Sequence, residues 1–319
     1  MFEIETAVLD SLQPAIDVPP RQAPSTRSGS VVIICTRGRP NIVTSIVAQL
    51  ADQTKPPAHV VVIGSAEEDI RNLPDLQNLT TRIGRIGSSL QRNDGLAIAG
   101  GKFEYIVFFD DDFVPSRFWL ERMESIFASR PDVAGITGRI LADGTRDAGI
   151  PLDAAKALVE QRDADLNSNL DVEEHFGYGS NVGCNMAFRY SIIRGLEFDE
   201  RLPLYAWHED SDFRGCVERR GLFVRGNSLW GVHLGHKNGR VRGVTLGYAQ
   251  IANAIYLARK GTVPAGFLGK IASKNVLVNA ARSFRPERFV DRRGRLRGNL
   301  IALSDLVRGR LRPERILEL

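Results

Sequence analysis

Tyr105-Ile106-Val107-Phe108-Phe109-Asp110-Asp111-Asp112-Phe113-Val114-Pro115 is the stretch that decides the fold. Its apolar first half suits a strand buried on both faces at the centre of a sheet. Three carboxylates follow without a spacer, at the strand end where open α/β sheets bind their ligands. Adjacent carboxylates repel one another, and a divalent cation or donors fixed by the fold offset that cost. Hard oxygen ligands suit Mg2+ or Mn2+, which commonly bridge carboxylates to a diphosphate. Taken alone, the triplet is explained equally well by an acidic loop capping the next helix through Asp112 or Ser116. The rest of the chain has to decide.

Upstream, Val31 to Cys35 is another short apolar run, and Thr36 to Pro40 reads as its exit loop. Ile42, Val43, Ile46, Val47 and Leu50 fall at helical spacing, and His59 to Ile63 supplies a second strand. The alternation continues with a helix at 88–100, the strand at 105–109, a helix at 117–129 and a strand at 133–140. Such alternation predicts an α/β fold with a mostly parallel central sheet flanked by helices. Residues 142–175 are polar, acid-rich and without a firm period, and read as an insertion or mobile segment. Later helices are predicted at 209–220 and 245–260.

The composition, 43% hydrophobic and 25% charged over 319 residues, allows a substantial core. No apolar stretch approaches the roughly 18 residues that span a bilayer, and MFEIETAVLD lacks a signal-peptide layout, so the expected location is the cytoplasm. Cys35, Cys184 and Cys216 are odd in number and dispersed, which excludes a disulfide framework and reads as buried or neutral thiols. The net charge of +4 is uneven: residues 282–319 carry eleven Arg against five acids. Leu296, Leu300, Ile301, Leu303, Leu306, Val307 and Leu311 interleave with those arginines, a pattern open both to plain packing and to a helix lying peripherally on the inner membrane face. Residues 1–29, ending in PPRQAPSTRSGS, read as a flexible leader.

A second acid cluster, Glu209, Asp210 and Asp212, opens a predicted helix, where the dipole favours carboxylates. If the fold brings it to Asp110–Asp112, one carboxylate is placed to take a proton from an acceptor hydroxyl while the other cluster holds a leaving diphosphate through a metal. Of the five histidines, His233 is the favoured candidate for the metal shell, ahead of His236; His59, His175 and His208 receive no role.

Together the opening strand with TRGRP, then QRNDGLAIAGG, YIVFFDDDFVP, GCNMAFR, HEDSDF, VHLGHKNGR and GYAQIANAIYLARKG resemble glycosyltransferase family 2 with the GT-A fold, in the family's order over about Ser30 to Gly261. The resemblance implies a nucleotide-diphospho-sugar transferase-like catalytic domain at 30–261 and a basic helical C-terminal extension at 262–319. It assigns Thr36, Arg37, Arg39, Arg92, Asn93, Asp110 and Asp111 to the donor, and Asp110, Asp112 and His233 to Mn2+ or Mg2+. Gly183, Asn185 and Met186 fall on the loop beside the donor sugar and acceptor, and the catalytic base falls on Asp210, supported by Glu209, with Asp212 structural. The implied reaction is inverting transfer from a nucleotide sugar to a saccharide or lipid-linked acceptor, in exopolysaccharide or surface polysaccharide synthesis. One departure bears on the base: the family's aspartate after the second strand is replaced by Gly64-Ser65, leaving Glu67, Glu68 or Asp69 as substitutes. UDP is the default donor base, with GDP and dTDP open. Nucleic acid is not an expected partner. The rival readings are a sugar nucleotidyltransferase, for which TRGRP is a poor phosphate loop, and a non-catalytic module holding membrane or nucleic acid through the Arg-rich tail.

Overall fold

The computed structural model describes residues 27–165, 170–178, 183–238 and 241–319, so most of the expected leader lies outside the described residues. The chain runs β1 (Arg27–Thr36), α1 (Pro40–Leu50), β2 (His59–Gly64), α2 (Glu67–Ile70), β3 (Leu79–Ile83), α3 (Ser88–Ala99), β4 (Phe103–Asp110) and β5 (Phe113–Pro115). It continues with α4 (Trp119–Ser129), β6 (Val133–Asp143), α5 (Leu152–Ala164), β7 (Val172–Glu173), β8 (Asn185–Arg189), α6 (Tyr190–Ile193), α7 (Glu209–Glu218) and β9 (Leu222–His233). Three helices close it, α8 (Gly243–Lys260), α9 (Ala265–Arg282) and α10 (Arg292–Val307), before a 3-10 turn at Pro313–Glu318.

The strands form one sheet in the order β3-β2-β1-β4-β8-β6-β9-β5, with β7 also paired to β9. The expected mostly parallel sheet is in fact mixed. Strands β3, β2, β1 and β4 are parallel, but β8 runs antiparallel to both β4 and β6, and β5 and β7 run antiparallel to β9. Strand β5, which follows β4 directly, pairs with the end of β9, Phe113 opposite His233, so the ends of β4 and β9 meet.

Alternation along the central strands explains the layers. Val32, Ile34, Val60, Val62, Val107 and Phe109 pack on one face with α1 and α4, while Val31, Ile33, Val61, Ile63, Ile106 and Phe108 pack on the other. Val31 to Ile34 are all fully buried, and each such side chain contributes roughly 1.5–3 kcal/mol. The described residues of segment 142–175 include regular structure that the sequence did not indicate: β6 runs on to Asp143, and α5 buries Ala155, Val159 and Asp163.

The C-terminal helices pack on α8 through glycines. A Cβ on Gly247 would lie 2.0 Å from the Arg295 carbonyl oxygen, and one on Gly298 would lie 2.0 Å from that of Val244, so α8 and α10 touch backbone to backbone. Consequently the apolar residues that interleave with the arginines, open to packing or to a membrane face, divide. Ile301 and Leu311 pack with Tyr248 and Ile251, whereas Leu300, Leu303 and Val307 stay exposed. No helix among the described residues is long and apolar enough to cross a membrane.

Candidate active site

The three aspartates stand at the end of β4 and diverge. Asp111 turns inward: its carboxylate accepts from Thr36 Oγ1 at 2.7 Å and from Arg39 Nη1 at 2.6 Å. Burial pushes this carboxyl up to about 7, against the pull of Arg39 and Thr36. Asp112 is also buried, and its Oδ2 accepts from the His236 backbone N–H at 2.8 Å and lies 3.2 Å from Arg39 Nη1. Its pKa falls below the ordinary carboxylate range, because burial, which opposes ionisation, is outweighed by His233, Arg39 and that N–H. Asp110, the most exposed of the three, opens toward the solvent side.

His233, the last residue of β9, meets them from across the sheet. Its Nε2 lies 3.2 Å from Asp112 Oδ1 and 4.0 Å from Asp110 Oδ2, and its Nδ1 lies 3.2 Å from Asp143 Oδ1. Burial disfavours the charged imidazole, yet the contacts with Asp112 and Asp143 raise its pKa to about 10. One ligand atom from each of Asp110, Asp112 and His233 lies within 4.8 Å of the other two. Asp112 Oδ1 is buried without an aligned hydrogen bond, as an oxygen aimed at a cation would be. The donor set therefore fits a divalent metal, with Asp143 on the far nitrogen to orient the ring.

Gly235 makes this geometry possible. It adopts φ +66°, and a Cβ there would lie 2.2 Å from the Gly144 carbonyl carbon. The turn directs the next N–H, that of His236, at Asp112. Gly235→Ala should cost about 2 kcal/mol in urea unfolding, from the left-handed backbone and the clash together, and should loosen the metal site. An unfolding midpoint equal to wild type would show that the turn relaxes freely.

The second acid cluster does reach the first. Arg92, buried on α3, donates from Nη1 to Glu209 Oε1 at 2.7 Å and from Nη2 to the Gly183 carbonyl at 3.0 Å and Asp110 Oδ1 at 3.3 Å. One guanidinium thus spans both clusters. Burial pushes the Glu209 carboxyl up to about 8 against the pull of Arg92. Asp210 is half-buried, accepts from the Ser211 N–H at 2.7 Å, and packs so near Gly183 that a Cβ there would lie 3.0 Å from Asp210 Oδ2. Just before this pair, Leu204, Ala206 and His208 all hold positive φ, at 57°, 49° and 72°. Such left-handed conformations cost about 1–2 kcal/mol each, stored here in the loop that delivers Glu209 and Asp210 to the site.

Several residues expected to face the donor have other partners. The Asn93 side chain is bonded to the backbone of Phe198 and to Glu200. Asn185 and Met186 are fully buried strand residues: Asn185 Oδ1 accepts from the Gly138 N–H, and Met186 packs in the core. Only Gly183 of that trio lies against the acid residues. Thr36 and Arg39 brace Asp111, and Arg39 also donates to the His236 and Asn238 carbonyls. Arg37 is exposed. Asp69 accepts from the N–H groups of Gly38, Ser65 and Ala66, which engages both of its oxygens and ties down the loops after β1 and β2, whereas Glu67 and Glu68 are exposed. Asp212 is buried, pairs with Lys260 and accepts from Thr262.

Asp143, Gln91 and Ser88 carry no assignment from the sequence, and the structure places all three beside the site. Gln91 Nε2 donates to the Thr36 and Ile63 carbonyls, tying the ends of β1 and β2, and Ser88 Oγ donates to Glu209. For Asp143, the available signal was the need of a metal histidine for a carboxylate on its other nitrogen.

No curated protein matches the sequence. In fold the chain is similar to S. aureus TarS 1-349, at 14% identity and a TM-score of 0.50 over 90% of this chain and 82% of that one. The same TarS segment in complex with UDP gives 16% identity and a TM-score of 0.47, over 81% of this chain and 72% of that one. A Pyrobaculum calidifontis mannosyltransferase in complex with GDP-Man and Mn2+ gives 16% identity and 0.45, over 92% and 86%. In sequence, residues 31–196 match glycosyl transferase family 2, more than half of the chain. That match runs from β1 through the aspartates of β4 to β8, on a sheet of GT-A-like form, and places the chain in glycosyltransferase family 2.

Proposed function

We propose that this protein moves a glycosyl group from a nucleoside-diphosphate sugar to an acceptor hydroxyl with inversion. The observation that carries the reading is Arg92, whose guanidinium touches both Asp110 and Glu209 and so holds the candidate metal cluster beside the candidate base. Asp210 takes the proton from the acceptor hydroxyl. The freed oxygen then bonds to the anomeric carbon as the bond from that carbon to the diphosphate breaks, and the electron pair leaves on the nucleoside diphosphate. Glu209, fixed by Arg92 and Ser88, supports Asp210 by keeping the first turn of α7 in place.

Mn2+ or Mg2+ held by Asp110, Asp112 and His233 would supply Lewis-acid neutralisation of the departing diphosphate. Arg37, exposed after β1, is the cation left to meet the nucleotide, while Thr36 and Arg39 act through Asp111. The catalytic unit is 30–261, and 262–319 packs onto α8 as its extension. The acceptor is a saccharide, lipid-linked and presented at the cytoplasmic membrane face during surface polysaccharide assembly; the basic C-terminal helices support that placement.

Calorimetry with UDP, GDP and dTDP, each with and without Mn2+, tests the donor site. One nucleotide should bind in a Mn2+-dependent way, and Asp112→Ala should weaken that binding about a hundredfold. Absence of metal-dependent binding of all three would remove the reading.

A further inference from the structure

We infer that the corner joining α9 to α10 seats this protein on an anionic lipid surface. Residues 261–286 contain four cations, Lys270, Lys274, Arg282 and Arg285, and no acid. Lys270, Lys274, Leu277 and Ala281 follow one another at helical spacing along α9, and all are exposed. Phe284 and Phe289 flank the turn that follows. Phe284 is 84% exposed, Leu277 69% and Phe289 43%. Among the described residues no acidic side chain pairs with Lys270, Lys274 or Arg285; Glu287 faces Arg292 and, at 3.9 Å, Arg282.

Two large aromatics and a leucine exposed to water beside uncompensated cations are unfavourable in solution, and membrane contact turns that cost into binding. The cations add attraction to anionic headgroups. A nucleic-acid groove would also use the cations, but Leu277 and the aliphatic face around it have nothing to do there. The two opposite requirements, apolar insertion and positive charge, are met together by a lipid interface.

The location matters as well. Phe289 lies beside Lys237, with Nζ 6.0 Å from the ring centroid. Lys237 follows His236, whose N–H holds Asp112. The lipid seat is therefore one side chain away from the loop that rims the candidate metal site. The seat stands on surface chemistry and does not rest on the transfer reaction; its use, bringing the site to a lipid-linked acceptor, rests on the reading above.

Flotation of the full chain with vesicles of phosphatidylcholine alone or with 30 mol % phosphatidylglycerol, roughly the range in which surface charge governs binding, tests the seat. Wild type should float with the anionic vesicles only and detach at high salt. Phe284→Ser with Phe289→Ser should lower the partition about tenfold, and Lys270→Gln, Lys274→Gln and Arg285→Gln together roughly a hundredfold. Both variants should keep the wild-type melting curve and nucleotide affinity, which separates failure of the seat from failure of the fold or of the donor site. Equal partition of the variants and wild type would overturn the inference. So would tight binding of a fluorescent oligonucleotide with no flotation.

Discussion

Asp210→Asn should lower kcat roughly 10³-fold and leave nucleotide-sugar affinity within about twofold. The replacement is isosteric, and its carbonyl oxygen can still accept the Ser211 N–H that Asp210 Oδ1 accepts now. What it loses is the ability to hold a proton. Glu209 cannot take over, because its carboxylate is buried and already engaged by Arg92 and Ser88. Steady-state rates with the preferred donor, paired with calorimetry on the same preparation, separate the two quantities. If Asp210→Asn stays within tenfold of wild type while Glu209→Gln collapses, the base is Glu209.

Arg92→Met should destabilise the fold by about 3–5 kcal/mol in urea unfolding. The substitution keeps much of the aliphatic length but strips the partner from a buried carboxylate, Glu209, and from the Gly183 carbonyl, and it weakens the hold on Asp110. Polar groups that lose the Arg92 donor, the Gly183 carbonyl and the buried Glu209 carboxyl, are the costly part; the lost attraction itself is smaller. The guanidinium also lies 5.3 Å from the Phe198 ring centroid and 5.9 Å from that of Phe108, so Arg92→Lys should recover only part of the loss, a compact ammonium being unable to reach three oxygens from one plane. A loss below about 1 kcal/mol for Arg92→Met would mean that the two clusters hold their places without the bridge.

The parts of this fold that can be read from the sequence are those whose local pattern and final environment agree. Val31 to Ile34 and Tyr105 to Phe109 read as strands because they end buried on both faces. Strand β3, Leu79–Ile83, is an edge strand with Thr81 and Arg82 exposed, and nothing in LTTRI demands a sheet. Strand β9 carries Arg225, Gly226 and Asn227 at its middle, which breaks the apolar run. The direction of β8 is set by its neighbours β4 and β6, through contacts no local pattern contains. In the site, acidity and order along the chain pointed to Asp110, Asp112, Glu209, Asp210 and His233. Which carboxylate is consumed inside is not legible in the sequence: Asp111 is set apart by its hydrogen bonds from Thr36 and Arg39, which no local pattern contains. Arg92 and Asn93 are adjacent on one helix, where successive residues point about 100° apart, so one enters the site and the other the packing against Phe198.

Arg39 fastens the loop after the first strand to the carbonyls of His236 and Asn238, and Arg39 and His236 also brace the aspartates of β4. During synthesis the acid triplet therefore leaves the ribosome long before its counter-charges are complete. Until residue 238 is free to dock, His233 is missing from the metal shell and nothing closes the loop behind Asp112. A nascent chain shorter than that has only Thr36, Arg39 and Arg92 to hold the carboxylates, and a fragment cut at residue 196, where the family match ends, would carry the acidic strand end without either His233 or Asp210. Competence thus arrives in a single late event, when β9 adds to the sheet.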